Sequence, residues 1–125
     1  MKLVAEEAET SALTAWLRDR PVRITSILSK VEVLRAARRV AAATDDDAVI
    51  GRASSVVASV AITGVTNAIA GRAGVADPPL LRSLDAVHLA TAILAGPLEA
   101  FVAYDDRLAE AVRAAGISVV QPGRR

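Results

Sequence analysis

The run Phe101-Val102-Ala103-Tyr104-Asp105-Asp106-Arg107-Leu108 decides how this chain folds. Four residues of strand character end on an acid, and Asp106 to Ala115 then carries the apolar spacing of an amphipathic helix closed by Gly116. A strand that passes straight into a helix, with Ile117 to Val120 as a further strand behind it, is the elementary unit of an α/β architecture. The polar tail Gln121-Pro122-Gly123-Arg124-Arg125 follows.

The same grammar recurs upstream. Val22-Arg23-Ile24-Thr25 alternates as a short strand, and Ser26 opens a helix carrying Ile27, Leu28, Val31, Leu34 and Ala37. Before it, Glu9 to Arg18 is helical, with Thr10 or Ser11 as cap, and Pro21 ends it. After it, Asp45 to Val57 reads as a helix whose Thr44-Asp45-Asp46-Asp47 start sets negative charge against the positive end of the helix dipole, a cap in preference to a metal site. A short strand within Val57 to Thr63 and a helical turn or two over Thr66 to Ala73 come next. Asp77-Pro78-Pro79 then breaks the chain, and Leu80 to Leu94 is a helix apolar nearly all round, hence central, stopped by Gly96-Pro97. Alternating strands and helices predict an α/β/α sandwich with a mostly parallel sheet, and residues 1–125 read as one domain.

Composition narrows the function classes. At 53% apolar over 125 residues the chain can bury a real core, while 15 Lys plus Arg against 14 Asp plus Glu leave a net charge of +1 and no bulk pull on nucleic acid. Any basic surface must be local. No cysteine is present, which excludes disulfides and thiolate metal sites and agrees with a reducing cytoplasm. Charged residues interrupt every apolar stretch well short of the roughly 18 residues a membrane span requires, and Met1-Lys2-Leu3-Val4-Ala5-Glu6-Glu7 turns acidic too early for a signal peptide. Aromatics are 2% of the chain, too few for a base-stacking platform. Gly71-Arg72-Ala73-Gly74 lacks the lysine and the preceding strand of a phosphate loop, and His88, the one histidine, excludes a His-rich metal site.

Three carboxylates remain in costly places: Glu32 in an apolar helical pattern, Asp85 in a nearly all-apolar one, and Asp105 at a strand end, where open α/β sheets put their ligands. Each has a local explanation: an ion pair of Glu32 with Arg35, a helix-dipole role for Asp85 with Ser83 as the cap, and an N-cap role for Asp105 or Asp106, with Asp106 assigned to it. Taken together they also fit a shared divalent ion, and oxygen ligands without His or Cys select Mg2+ or Mn2+. Such an ion suits phosphodiester hydrolysis, and Arg35, Arg82 and Arg107, each near one of the acids, are placed to hold a nucleic-acid backbone. His88 and Trp16 are read as packing residues, and Ser26 and Ser29 as caps.

Thr25-Ser26-Ile27-Leu28-Ser29-Lys30-Val31-Glu32-Val33-Leu34-Arg35-Ala36, the Arg82 to Ala92 block and the Phe101 to Leu108 run, in this order and spacing, resemble a PIN domain of the VapC type, the ribonuclease toxin of toxin–antitoxin pairs. The resemblance implies a three-layer α/β/α domain, Mg2+ or Mn2+ on acidic side chains, and cleavage of RNA by metal-activated water. It implies as partners an RNA substrate, a cognate VapB-like antitoxin and a second copy of the chain in a homodimer. Glu32, Asp85 and Asp105 match three of the family's acidic positions, as catalytic and metal-binding residues.

The chain departs from the pattern at its start. The family opens with a central strand ending in Asp, whereas Met1 to Glu7 reads as the helix after it, so the first strand and the first metal-ligating Asp are expected to be missing. A misassigned or shortened start is the favoured explanation, beside a strand donated by a partner or a sheet closed differently. Ala103 also stands where the family often has Thr. The leading expectation is a metal-dependent endoribonuclease toxin, and the alternative a weak or inactive PIN-like module that binds an antitoxin or dimerises.

Overall fold

The structure, a computed structural model, describes residues 10–124. The expected departure over Met1 to Glu7, with its absent first strand and Asp, lies outside the described residues. Contacts divide the chain into two compact units, one running to Ile62 and taken up again from Pro122, the other Thr63–Gln121.

In the first unit, helix α1 (Thr10–Arg18) buries Leu13 and leaves Trp16 half-buried. Its C-terminal carbonyls find their donors in arginines: Arg20 Nη1 donates to Trp16 O at 2.9 Å and Arg23 Nη2 to Leu17 O at 2.8 Å. These bonds meet acceptors that every helix end leaves open. The Arg20 guanidinium also sits 4.1 Å above the Trp16 ring, in cation–π range. Strand β1 (Ile24–Ser26) runs directly into helix α2 (Ile27–Thr44), as the sequence predicts, with Ser26 in extended conformation and its Oγ accepting from Leu28 N at 3.2 Å. Ser29 Oγ takes the Thr25 hydroxyl at 2.7 Å.

Helix α3 (Ala48–Ala58) packs on α2 through Ala37, Ala41, Val49 and Ala53, flanked by Val33, Leu34, Val40 and Val56. Small residues on both faces let the two helices approach closely. The buried stripe of α2 is therefore Ala37 and Ala41, while Ile27 and Val31, which belong to the same apolar pattern, are 42% and 55% exposed. Periodicity marks which residues share a face but not which face meets a neighbour. The acidic run is a connector: Asp45 is left-handed (φ 53°) at the end of α2, and Asp46 Oδ1 accepts from Ala48 N at 3.0 Å. The start of α3 thus falls three residues later than the pattern predicts. Strand β2 (Ala61–Thr63) pairs with β1.

In the second unit, Thr66 Oγ1 caps helix α4 (Asn67–Gly74), accepting from Ile69 N at 3.1 Å. Helix α5 (Ser83–Leu94) packs against α4 and α6 (Asp106–Ala114) and buries Ala86, Leu89, Ala90, Thr91 and Ala92, in keeping with a nearly apolar sequence. It starts at Ser83 and not at Leu80, which is 93% exposed, because the prolines hold the preceding residues in a turn closed by Leu81 N on Pro78 O. Ser83 is accordingly the first helical residue, and Arg82, whose carbonyl accepts from Ala86 N, occupies the cap position without a side-chain bond.

Strands β3 (Phe101–Val102) and β4 (Val119–Val120) pair in parallel, Phe101 opposite Val119 and Val102 opposite Val120. Gln121 Nε2 adds a bond to Ala103 O at 2.9 Å. The core beneath is Leu89, Ala103, Leu108, Ala109, Ala111 and Val112. The described strands thus form two two-stranded sheets, in an α/β chain. Among the described residues no buried side-chain nitrogen or oxygen lacks a hydrogen bond, and no helix is long and apolar enough to cross a membrane.

Candidate active site

Asp105 stands where strand β3 has ended and α6 begins. Its backbone is still extended (φ −75°, ψ 124°), which aims the carboxylate back over the first turn, and Oδ1 accepts from Leu108 N at 3.0 Å. Asp105 is therefore the cap, and Asp106, expected in that role, is the first helical residue, where its charge still meets the helix dipole. Only one oxygen of Asp105 takes part in that bond. The residue is exposed, so the second oxygen is open to a ligand.

Asp85 lies in the first turn of α5, three residues after the Arg82 cap position, and is half-buried. Ala86, the next residue, is in the core, so Asp85 borders it with its backbone fixed by packing. Helices α5 and α6 touch, and Leu89 of one shares a core with Leu108 and Val112 of the other. Each helix presents an acid at its start with an arginine two or three residues away: Arg107 after Asp105, and Arg82 before Asp85. Both guanidiniums are exposed and have no ion-pair or hydrogen-bond partner among the described residues. His88 is half-buried on α5.

Glu32 belongs to the first unit. It is exposed, at about 140° round α2 from buried Ala37 at 3.6 residues per turn. The expectation that Glu32 and Asp105 sit in apolar surroundings is thus corrected: the apolar face of α2 lies on its other side, and Asp105 has left the strand for a solvated helix start. Arg35 likewise has no partner among the described residues, so the expected Glu32–Arg35 pair is not formed. Arg38 and Arg39, which motif reading passes over, are exposed on the same helix, and their spacing of three and four residues from Arg35 is the signal that would have found them.

Within neither unit do three or more His, Asp or Glu side chains among the described residues form a group that could hold a metal ion. Asp85 and Asp105 each offer only oxygen donors, the kind Mg2+ uses when water and substrate phosphate complete its shell. In donor chemistry the residues fit such an ion.

Acids at strand-end and helix-start positions of an α/β chain define a class, and a family model described as PIN domain matches residues 1–114. This chain belongs to the PIN-domain family. Its relatives are of the VapC type. Ribonuclease VapC35 of Mycobacterium tuberculosis (strain CDC 1551 / Oshkosh) is 42% identical over 129 residues, covering 99% of this chain and 92% of that protein. Ribonuclease VapC47 of the same strain is 35% identical over 127 residues, covering 98% and 90%. Ribonuclease VapC46 of strain ATCC 25618 / H37Rv is 35% identical over 123 residues, covering 98% and 91%. No solved structure matches the chain.

Proposed function

We propose that this chain is a metal-dependent endoribonuclease of the toxin type, acting in the cytoplasm as one PIN domain on RNA, dimerising, and neutralised by a VapB-like antitoxin. The observation that carries this reading is that Asp85 and Asp105 stand at the starts of two helices that share one core, in a chain whose relatives are VapC ribonucleases. Asp85 and Asp105 would hold Mg2+ or Mn2+, and Glu32 is proposed as a further catalytic acid. Such an ion, when bound, supplies the Lewis acidity that activates water and neutralises charge on the scissile phosphate.

The remaining work falls to the protein. The cap bond to Leu108 N fixes the Asp105 carboxylate in one orientation, and core packing of Ala86 fixes the backbone of Asp85. Arg82 and Arg107 donate to phosphate oxygens beside these acids, and Arg35 does so beside Glu32. Helix starts add the partial positive charge of their unpaired N–H groups, which favours an approaching phosphate.

The test is RNA cleavage by the purified full chain with Mn2+. Cleavage that needs the metal and is lost in a folded Asp85→Asn variant supports the enzyme. A folded chain that binds neither Mn2+ nor RNA, yet still binds an antitoxin, would define a non-catalytic binding module instead.

A further inference from the structure

Helix α2 carries four cations, Lys30, Arg35, Arg38 and Arg39, against the single acid Glu32, in a chain whose net charge is only +1. The excess is local. At 3.6 residues per turn Arg35 and Arg39 lie within about 60° of Glu32 on the face turned away from Ala37 and Ala41, and Arg38 flanks them. All three arginines are exposed, and none has an ion-pair or hydrogen-bond partner among the described residues.

Such a cluster opposes folding. Arg35 with Arg38 and Arg35 with Arg39 stand three and four residues apart, roughly 5–6 Å between β-carbons, where like charges repel. They are mid-helix, so the negative helix end, felt only in the last turn, does not offset the repulsion. Arg35 and, one turn further along, the side-by-side Arg38 and Arg39 make an unpaired cationic strip that matches a polyanion.

We propose that the outer face of α2 is a seat for the RNA backbone, in which Arg35, Arg38 and Arg39 hold successive phosphates of a strand leading away from Glu32. The inference rests on the reading of RNA as substrate and extends it to contacts beyond the reacting phosphate. Residues one helical turn apart along the axis set the direction of the strand, and the absence of aromatics on α2 makes the seat indifferent to base identity.

The test measures binding of a short fluorescent single-stranded RNA of mixed sequence by anisotropy, in an Asp85→Asn background without added metal so that no turnover occurs. For single strands the slope of log Kobs against log salt is about −0.7 per phosphate contact, so replacing all three arginines by Gln makes it shallower by about 2. Between roughly 50 and 200 mM salt the triple variant then loses about 20-fold less affinity than its parent. Arg35→Lys, Arg38→Lys and Arg39→Lys together keep the slope, because the charges remain, and thermal unfolding confirms that both variants fold. An unchanged slope in the folded Gln variant overturns this proposal while leaving RNA as substrate. No RNA binding by the parent overturns both. Unmoved RNA binding with lost binding to polyglutamate would assign the row to an acidic peptide and also overturn it.

Discussion

Asp105 has two roles that one pair of substitutions separates. As cap of α6 its Oδ1 accepts from Leu108 N at 3.0 Å, and as a charged group it is proposed to bind metal. Asp105→Ala removes both. The lost cap leaves Leu108 N without its side-chain acceptor and costs about 1 kcal/mol, in the middle of the range for caps because the site is exposed and water can replace part of the bond. For a chain of this size that is a fall in Tm of about 3–6 °C. Asp105→Asn keeps an oxygen in the same place, since Asn caps as well as Asp, and changes stability by under about 0.5 kcal/mol while abolishing the charge. Urea unfolding and RNA cleavage measured on both variants give the expected pattern: two inactive proteins, one of them as stable as the parent. Equal stability losses would show that the carboxylate does not act as a cap in solution, and cleavage retained by the Asn variant would remove Asp105 from the metal site.

Leu89 is 3% exposed at the point where α5 meets the α6 core, so Leu89→Ala is expected to lose roughly 2–5 kcal/mol, read as a lower urea midpoint with the slope unchanged. Gly51 and Gly116 make an opposed pair. A β-carbon would meet nothing within 4 Å at either site, but Gly51 is helical while Gly116 has φ +86°. Gly51→Ala should therefore stabilise by up to about 1 kcal/mol, and Gly116→Ala should destabilise by about 1 kcal/mol or more. Two shifts of the same sign in thermal unfolding would refute this assignment of backbone strain.

Local signals in the chain settle local structure. Ser26, Thr66 and the Asp105-Asp106 step announce helix starts because a short oxygen-bearing side chain can serve a nearby N–H whatever surrounds it. Gly116 announces a helix end because a positive φ excludes most other residues. The acid-bearing blocks around Glu32, Asp85 and Asp105 were legible for the same reason: their order and spacing are properties of sequence. Packing is another matter. Ile27 and Val31 are as apolar as Val49, yet only Val49 is buried, and Ala37 and Ala41, unremarkable in composition, carry the α2–α3 contact. Which stripe of a helix meets a neighbour, and hence whether Glu32 and the arginines beside it face solvent or core, depends on partners far away in sequence. Only the tertiary structure decides it.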